Sequence, residues 1–127
     1  MDFLGQSKLI KEMCVKYFKR AIDKGGPFTG YKVFRKIPGV SKLRGMMFTL
    51  LGGYEFGRTY IETLEFLPET RYRAGFHVFK TIDGARKHVL NPGEVIVEVE
   101  CKDFVGTGIY GDKETGIFRK MKLLNYV

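Results

Sequence analysis

The sequence predicts an α+β domain: a largely antiparallel sheet of five to seven strands, covered on one face by an N-terminal amphipathic helix, plus one short helix. Three observations lead there. Apolar residues recur at three- and four-residue spacing over residues 7–24. Apolar and polar residues alternate over 95–102, the period of a half-buried strand. Between such segments stand short turn signals, and the strand-like stretches outnumber the helical ones.

Taken in order, residues 7–24 place Leu9, Ile10, Met13, Cys14, Tyr17, Phe18, Ala21 and Ile22 on one helical face. Lys8, Lys11, Glu12, Lys16, Lys19, Arg20 and Asp23 fill the other, Ser7 can cap the start, and Gly25-Gly26-Pro27 ends the helix. Tyr31 to Ile37 alternates as a strand and stops at Pro38-Gly39. Residues 38–45 read as a basic loop, Met46 to Leu51 as a short apolar strand, and Tyr54 to Leu67 as a β-prone stretch broken at Gly57 and closed by Pro68. Gly75 to Phe79 reads as a compact buried strand.

Thr81 is placed to cap a short helix reaching about Leu90, with Ala85 and Val89 inward and Gly84 weakening it. Asn91-Pro92-Gly93-Glu94 is a turn. Val95, Val97, Val99 and Cys101 then alternate with Ile96, Glu98, Glu100 and Lys102. Gly106-Thr107-Gly108 marks a bulge or bend, 111–116 a hairpin loop, and Ile117 to Leu124 the closing strand. The whole reads as a single domain, 1–127, with a basic N-terminal helix over 1–26 and a β-rich core over 30–127.

Composition narrows the classes. With 44% apolar and 28% charged residues in 127, the chain is globular, not a disordered tail, and long enough for a core without metal or disulfide support. No apolar run reaches the length of a membrane span, and the start lacks the basic and apolar regions of a secretory signal. Asp2 stands where N-myristoylation needs glycine. The two cysteines, Cys14 and Cys101, each fall on an apolar face and read as small buried hydrophobes in a reducing compartment. The expected location is therefore intracellular.

The net charge of +8 is one-sided: residues 1–44 hold 11 Lys or Arg against three acids, and the remainder sums to zero. Such a field selects an acidic protein surface or a nucleic acid. Lys11, Lys16, Lys19, Arg20, Lys32, Arg35, Lys36, Lys42 and Arg44 are the candidate contacts.

The chemical motifs are few. Gly106 to Gly111 spells G-x-G-x-x-G, but turn sequence follows where a dinucleotide site needs a helix to start. His77 and His88 are the only histidines, and neither has Cys or carboxylate neighbours at a metal spacing, so no metal is expected. His77, among Phe76, Val78 and Phe79, reads as a core or rim histidine and is the one catalytic candidate, because imidazole titrates near neutrality. His88, in Arg86-Lys87-His88, is expected to be exposed. Tyr31, Phe34, Tyr54, Phe56, Tyr60, Tyr72 and Phe76 interleave with Lys32, Arg35, Arg58, Arg71 and Arg73, a mixture that fills cores and can also stack on single-stranded nucleic acid.

Two resemblances follow from these residues. Gly30-Tyr31-Lys32-Val33-Phe34, then Tyr54 to Tyr60, then Arg73-Ala74-Gly75-Phe76-His77-Val78-Phe79 resembles a group of small phage and large-DNA-virus proteins. It covers roughly residues 30–105 and implies a viral or phage origin, hence a place in a host cytoplasm or a virion and neighbouring particle subunits as a further possible partner. More weakly, Gly75-Phe76-His77, Ala85 and Val95 to Val99 are similar in order to the ADP-ribosyltransferase core. That likeness implies NAD as cofactor, with His77 and Tyr31 holding it. Tyr31-Lys32 stands where the family has an Arg or His, and Glu114 is the candidate for its late glutamate.

The reading is a non-enzymatic, small basic viral or phage protein, without cofactor, that binds an acidic macromolecular partner through its N-terminal third. A degenerate or active NAD-using ADP-ribosyltransferase-like enzyme and a minor virion structural protein are the alternatives.

Overall fold

The computed structural model describes residues 15–20, 26–39, 41–45, 53–63 and 75–127. Of these, 64% are strand and 6% helix, and no helix reaches seven residues. The α+β expectation is therefore corrected: the protein is mostly antiparallel sheet, with no covering N-terminal helix among the described residues.

The described residues form seven strands: β1 (Lys16–Arg20), β2 (Phe28–Lys36), β3 (Leu43–Gly45), β4 (Thr59–Ile61), β5 (Phe76–Phe79), β6 (Glu94–Tyr110) and β7 (Lys113–Tyr126). One short helix, α1 (Ile82–Arg86), lies between β5 and β6. The expected strand over Met46 to Leu51, the Ser7 cap and Cys14 fall outside the described residues.

The spine is the long hairpin of β6 and β7, turned at Gly111-Asp112 and paired from Tyr110↔Lys113 back to Val97↔Tyr126. Gly111 takes a φ of 65°, the left-handed conformation such a turn needs. The expected hairpin loop over 111–116 is thus shorter than its composition suggests, because Glu114 to Gly116 already pair with β6.

Each outer edge of this hairpin carries two shorter strands. Along β6, β2 pairs from Arg35↔Glu94 to Phe28↔Cys101, and β1 from Arg20↔Gly106 to Lys16↔Ile109. Along β7, β5 pairs at Thr115 to Phe118 and β4 at Lys120 to Lys122. A single pairing, Tyr31↔Phe79, joins β2 to β5, so β6, β2, β5 and β7 close into a ring. β3 extends the sheet from the far end of β2.

Alternation decides what each face buries. Phe34, Val78, Val97, Val99, Cys101, Met121 and Leu123 form the main core, extended by Leu43, Tyr54 and Tyr60. On the opposite face, Val33, Phe79 and Ala85 are buried, with Tyr31, Val89 and Ile96 packed against them. There, among the described residues, α1 supplies the cover. Thr81 caps it, accepting the Gly84 amide at 3.0 Å. The helix ends at Arg86, earlier than the predicted Leu90. Bonds from His88 N to Ala85 O and from Val89 N to Arg86 O then tighten the chain into three-residue turns.

The N-terminal segment is the main departure. Lys16 to Arg20 form a strand whose spacing breaks between Lys16 and Lys19, a bulge in the ladder to β6. Two glycines explain why a strand is accepted here. A Cβ on Gly108 would stand 2.6 Å from Val15 Cγ2, and one on Gly106 would collide with the Lys19 carbonyl and the Phe18 ring. Gly106-Thr107-Gly108 is therefore the seat of β1, and Val15 and Phe18 pack there against Ile117, Val105 and Tyr110.

Candidate functional site: a basic bulged strand

β1 presents three exposed cations, Lys16, Lys19 and Arg20. Its bulge admits two residues, Tyr17 and Phe18, opposite the single Gly108. Phe18 turns inward, and Tyr17 is thrown outward, 82% exposed, with a φ of 55°. That is the left-handed region, which a bulky aromatic residue rarely occupies. Lys16, Lys19 and Arg20 flank the ring and are exposed. Among the described residues none of the three has a carboxylate within ion-pair distance, whereas Lys42, Lys80, Lys87 and Lys120 are paired with Glu55, Glu114, Asp112 and Asp103.

The other described contacts, Lys32, Arg35, Lys36, Lys42 and Arg44, do not join this group. Arg35 pairs with Glu94 in the β2–β6 register, whereas Arg20 pairs with Gly106. Some 12 residues of β6 separate the two points, a path of roughly 40 Å if fully extended. The described cations of the basic third are thus divided between two ends of β6.

At the far end Arg35 stands directly opposite Arg44 on β3, and its guanidinium lies 3.7 Å from Glu94 Oε2. Glu94 is buried and its Oε1 accepts the amides of Leu90 and Asn91 at 2.7 and 2.9 Å. These bonds, with Arg35 beside them, hold its carboxyl below the usual range. Lys36 lies 5.4 Å from the centre of the Tyr126 ring. It shares the rim of an open groove of about 600 Å³ with Arg86. Lys11 falls outside the described residues.

Lys32 is half-buried, not an open surface cation. Its side chain points into the main core, as alternation with Val33 requires, and Nζ donates to the His77 carbonyl at 2.8 Å. Burial pushes its pKa down to about 8. Cys101 lies close enough to interact with that charge, and burial pushes the thiol up to about 12, an unreactive value. Sequence reasoning counted Lys32 as basic surface because charge is visible in a sequence and burial is not.

His77, the catalytic candidate, is half-buried on β5. Desolvation first, then the Lys32 charge, lowers its pKa to about 4, against a bond to the Gly75 backbone that pulls the other way. An imidazole held there is a weak general base at neutral pH. Tyr31 packs against Val33, Phe79 and Ala85. Glu114 is exposed beside Lys80, at 3.8 Å. His88, expected to be exposed, is half-buried, stacked on Phe79 at 4.5 Å and within 2.9 Å of the Gly84 carbonyl. Among the described residues no three His, Cys, Asp or Glu side chains gather as a metal site, and no helix is long and apolar enough to cross a membrane. Gly106 to Gly111 runs as strand and turn, with no helix starting there.

Tyr17 was missed as a site residue because a helical reading placed it on the buried face. The Gly-Thr-Gly spacing carried the corrective signal: two glycines at i and i+2 leave one face of a strand open to close approach.

No protein-family model, no curated protein and no solved structure matches this chain. The class of protein defined by the fold is a mostly antiparallel β domain built on one long hairpin.

Proposed function

We propose that the chain is a non-enzymatic binding protein that engages a polyanionic macromolecule through β1. The observation that carries this reading is the trio Lys16, Lys19 and Arg20, exposed on one short strand and without carboxylate partners among the described residues. Exposed cations lacking internal partners keep their full field for a ligand, raising the encounter rate and making the affinity salt-dependent. Arg35, Lys42 and the other ion-paired cations contribute less, because part of their field is already neutralised.

The test is binding of heparin or a nucleic acid to the full chain across a salt gradient. Wild type should bind with a logarithmic salt slope of about 2 for three single-strand phosphate contacts. The triple variant Lys16→Glu, Lys19→Glu, Arg20→Glu should lose binding. The far-end variant Arg35→Glu, Arg44→Glu should keep it. Wild-type affinity in the β1 variant, with circular dichroism unchanged, would refute the proposal.

A further inference from the structure

We infer that β1 is a stacking platform for single-stranded nucleic acid, with Tyr17 receiving an unpaired base and Lys16, Lys19 and Arg20 receiving the flanking phosphates. This rests on the polyanion reading above and narrows it to one class of partner.

The bulge is the first argument. An unbroken five-residue strand would alternate its side chains and send Tyr17 and Lys19 to the same face, opposite to Phe18. The extra residue between Lys16 and Lys19 lets Phe18 fill the seat over Gly106 while Tyr17 and its cationic neighbours all remain outside. Bulges re-aim side chains in this way.

The second argument is cost. Tyr17 adopts a φ of 55° and leaves 82% of its surface in water. An exposed tyrosine at a positive φ adds nothing to folding that Asn or Gly would not supply with less strain. A ring held clear of the surface between cations has the two components of sequence-tolerant single-strand binding, a π-face for a base and charges spaced for the backbone.

The same geometry disfavours the other polyanions. Bases in a duplex are stacked on one another and offer no free face to a protruding ring. An acidic peptide would answer the charges but leave Tyr17 without a role.

The experiment measures affinity of the full-length chain for three probes: oligo(dT) of about a dozen nucleotides, the matching duplex, and polyglutamate. Each is titrated against wild type, Tyr17→Ala and Tyr17→Phe. Oligo(dT) is expected to bind tightest. Tyr17→Ala should weaken it about tenfold, the loss of one base–aromatic stack, without changing the salt slope. Tyr17→Phe should bind like wild type, since it keeps the ring, and also shows that substitution at this position leaves the fold intact. Equal affinity of wild type and Tyr17→Ala for oligo(dT) overturns the stacking platform. So does tighter binding of duplex or polyglutamate. In both cases the broader polyanion reading survives if binding remains salt-dependent and requires the lysines. If wild type binds none of the three probes, both readings fall together.

Discussion

The ammonium of Lys32 on β2 donates to the carbonyl of His77 on β5 at 2.8 Å, beside the one backbone pairing that joins those strands. β2 and β5 meet only at Tyr31↔Phe79, with Gly30 so close to Val78 and the Phe79 carbonyl that no side chain fits. Beyond that point the two strands are no longer paired, and the Lys32 side chain supplies a bond to the His77 oxygen. The charge needed for that role sits in a poorly solvated place, next to an imidazole it discourages from protonating. The pair therefore makes stability depend on pH at both ends of the scale.

At the acid end the group to watch is His77. Its pKa falls from the usual 6.5 to about 4 on folding. Between those values the unfolded chain binds the extra proton, so stability is fully present above about pH 6.5 and is lost as pH falls toward 4. Denaturant unfolding at a series of pH values should show this loss with a slope of up to about 1.4 kcal/mol per pH unit. His77→Gln should flatten that window by one proton's worth. An unchanged slope in the variant would place the acid sensitivity elsewhere.

The alkaline arm belongs to Lys32. Its pKa falls from 10.5 to about 8, so the unfolded state holds more protons above pH 8 and stability rises with pH. Cys101 acts in the opposite direction: its rise from 9.0 to about 12 removes stability once pH passes 9. The visible gain is thus confined to pH 8–9. Lys32→Met, which keeps the aliphatic stem, should abolish that gain. Cys101→Ala should extend the gain to higher pH, whatever its cost in core packing. Melting curves at pH 7, 8, 9 and 10 would check both.

Gly106 tests the seat of β1. A Cβ there meets the Lys19 carbonyl, which is backbone and can give way only if the whole strand moves. Gly106→Ala should cost about 1–3 kcal/mol and raise amide exchange in Lys16 to Arg20. Amides of β2 paired to Val95, Val97 and Val99 should stay protected, because that part of β6 does not touch β1. It should also weaken polyanion binding without altering any charge. Full protection of β1 in this variant would refute the seat.

Sequence alone determined the features that are local. The alternation of Val95, Val97, Val99 and Cys101 carries β6 whatever its neighbours, and its apolar set does face the main core. Thr81 caps α1 because the capping bond spans only three residues. The concentration of charge in residues 1–44 is a matter of counting.

Tertiary structure decided the rest. In residues 15–20 the apolar positions suit a helical stripe and a bulged strand alike. The choice was made by Gly106 and Gly108, nearly ninety residues away, which leave a surface that a strand can approach and β1 can pair with. The fate of Lys32 was also decided at a distance. Nothing beside it in the chain marks it as different from Lys36, yet ring closure turns one toward the His77 carbonyl and leaves the other at a groove. Periodicity and charge are properties of neighbours in sequence. Burial and strand pairing belong to partners that meet only when the chain has folded.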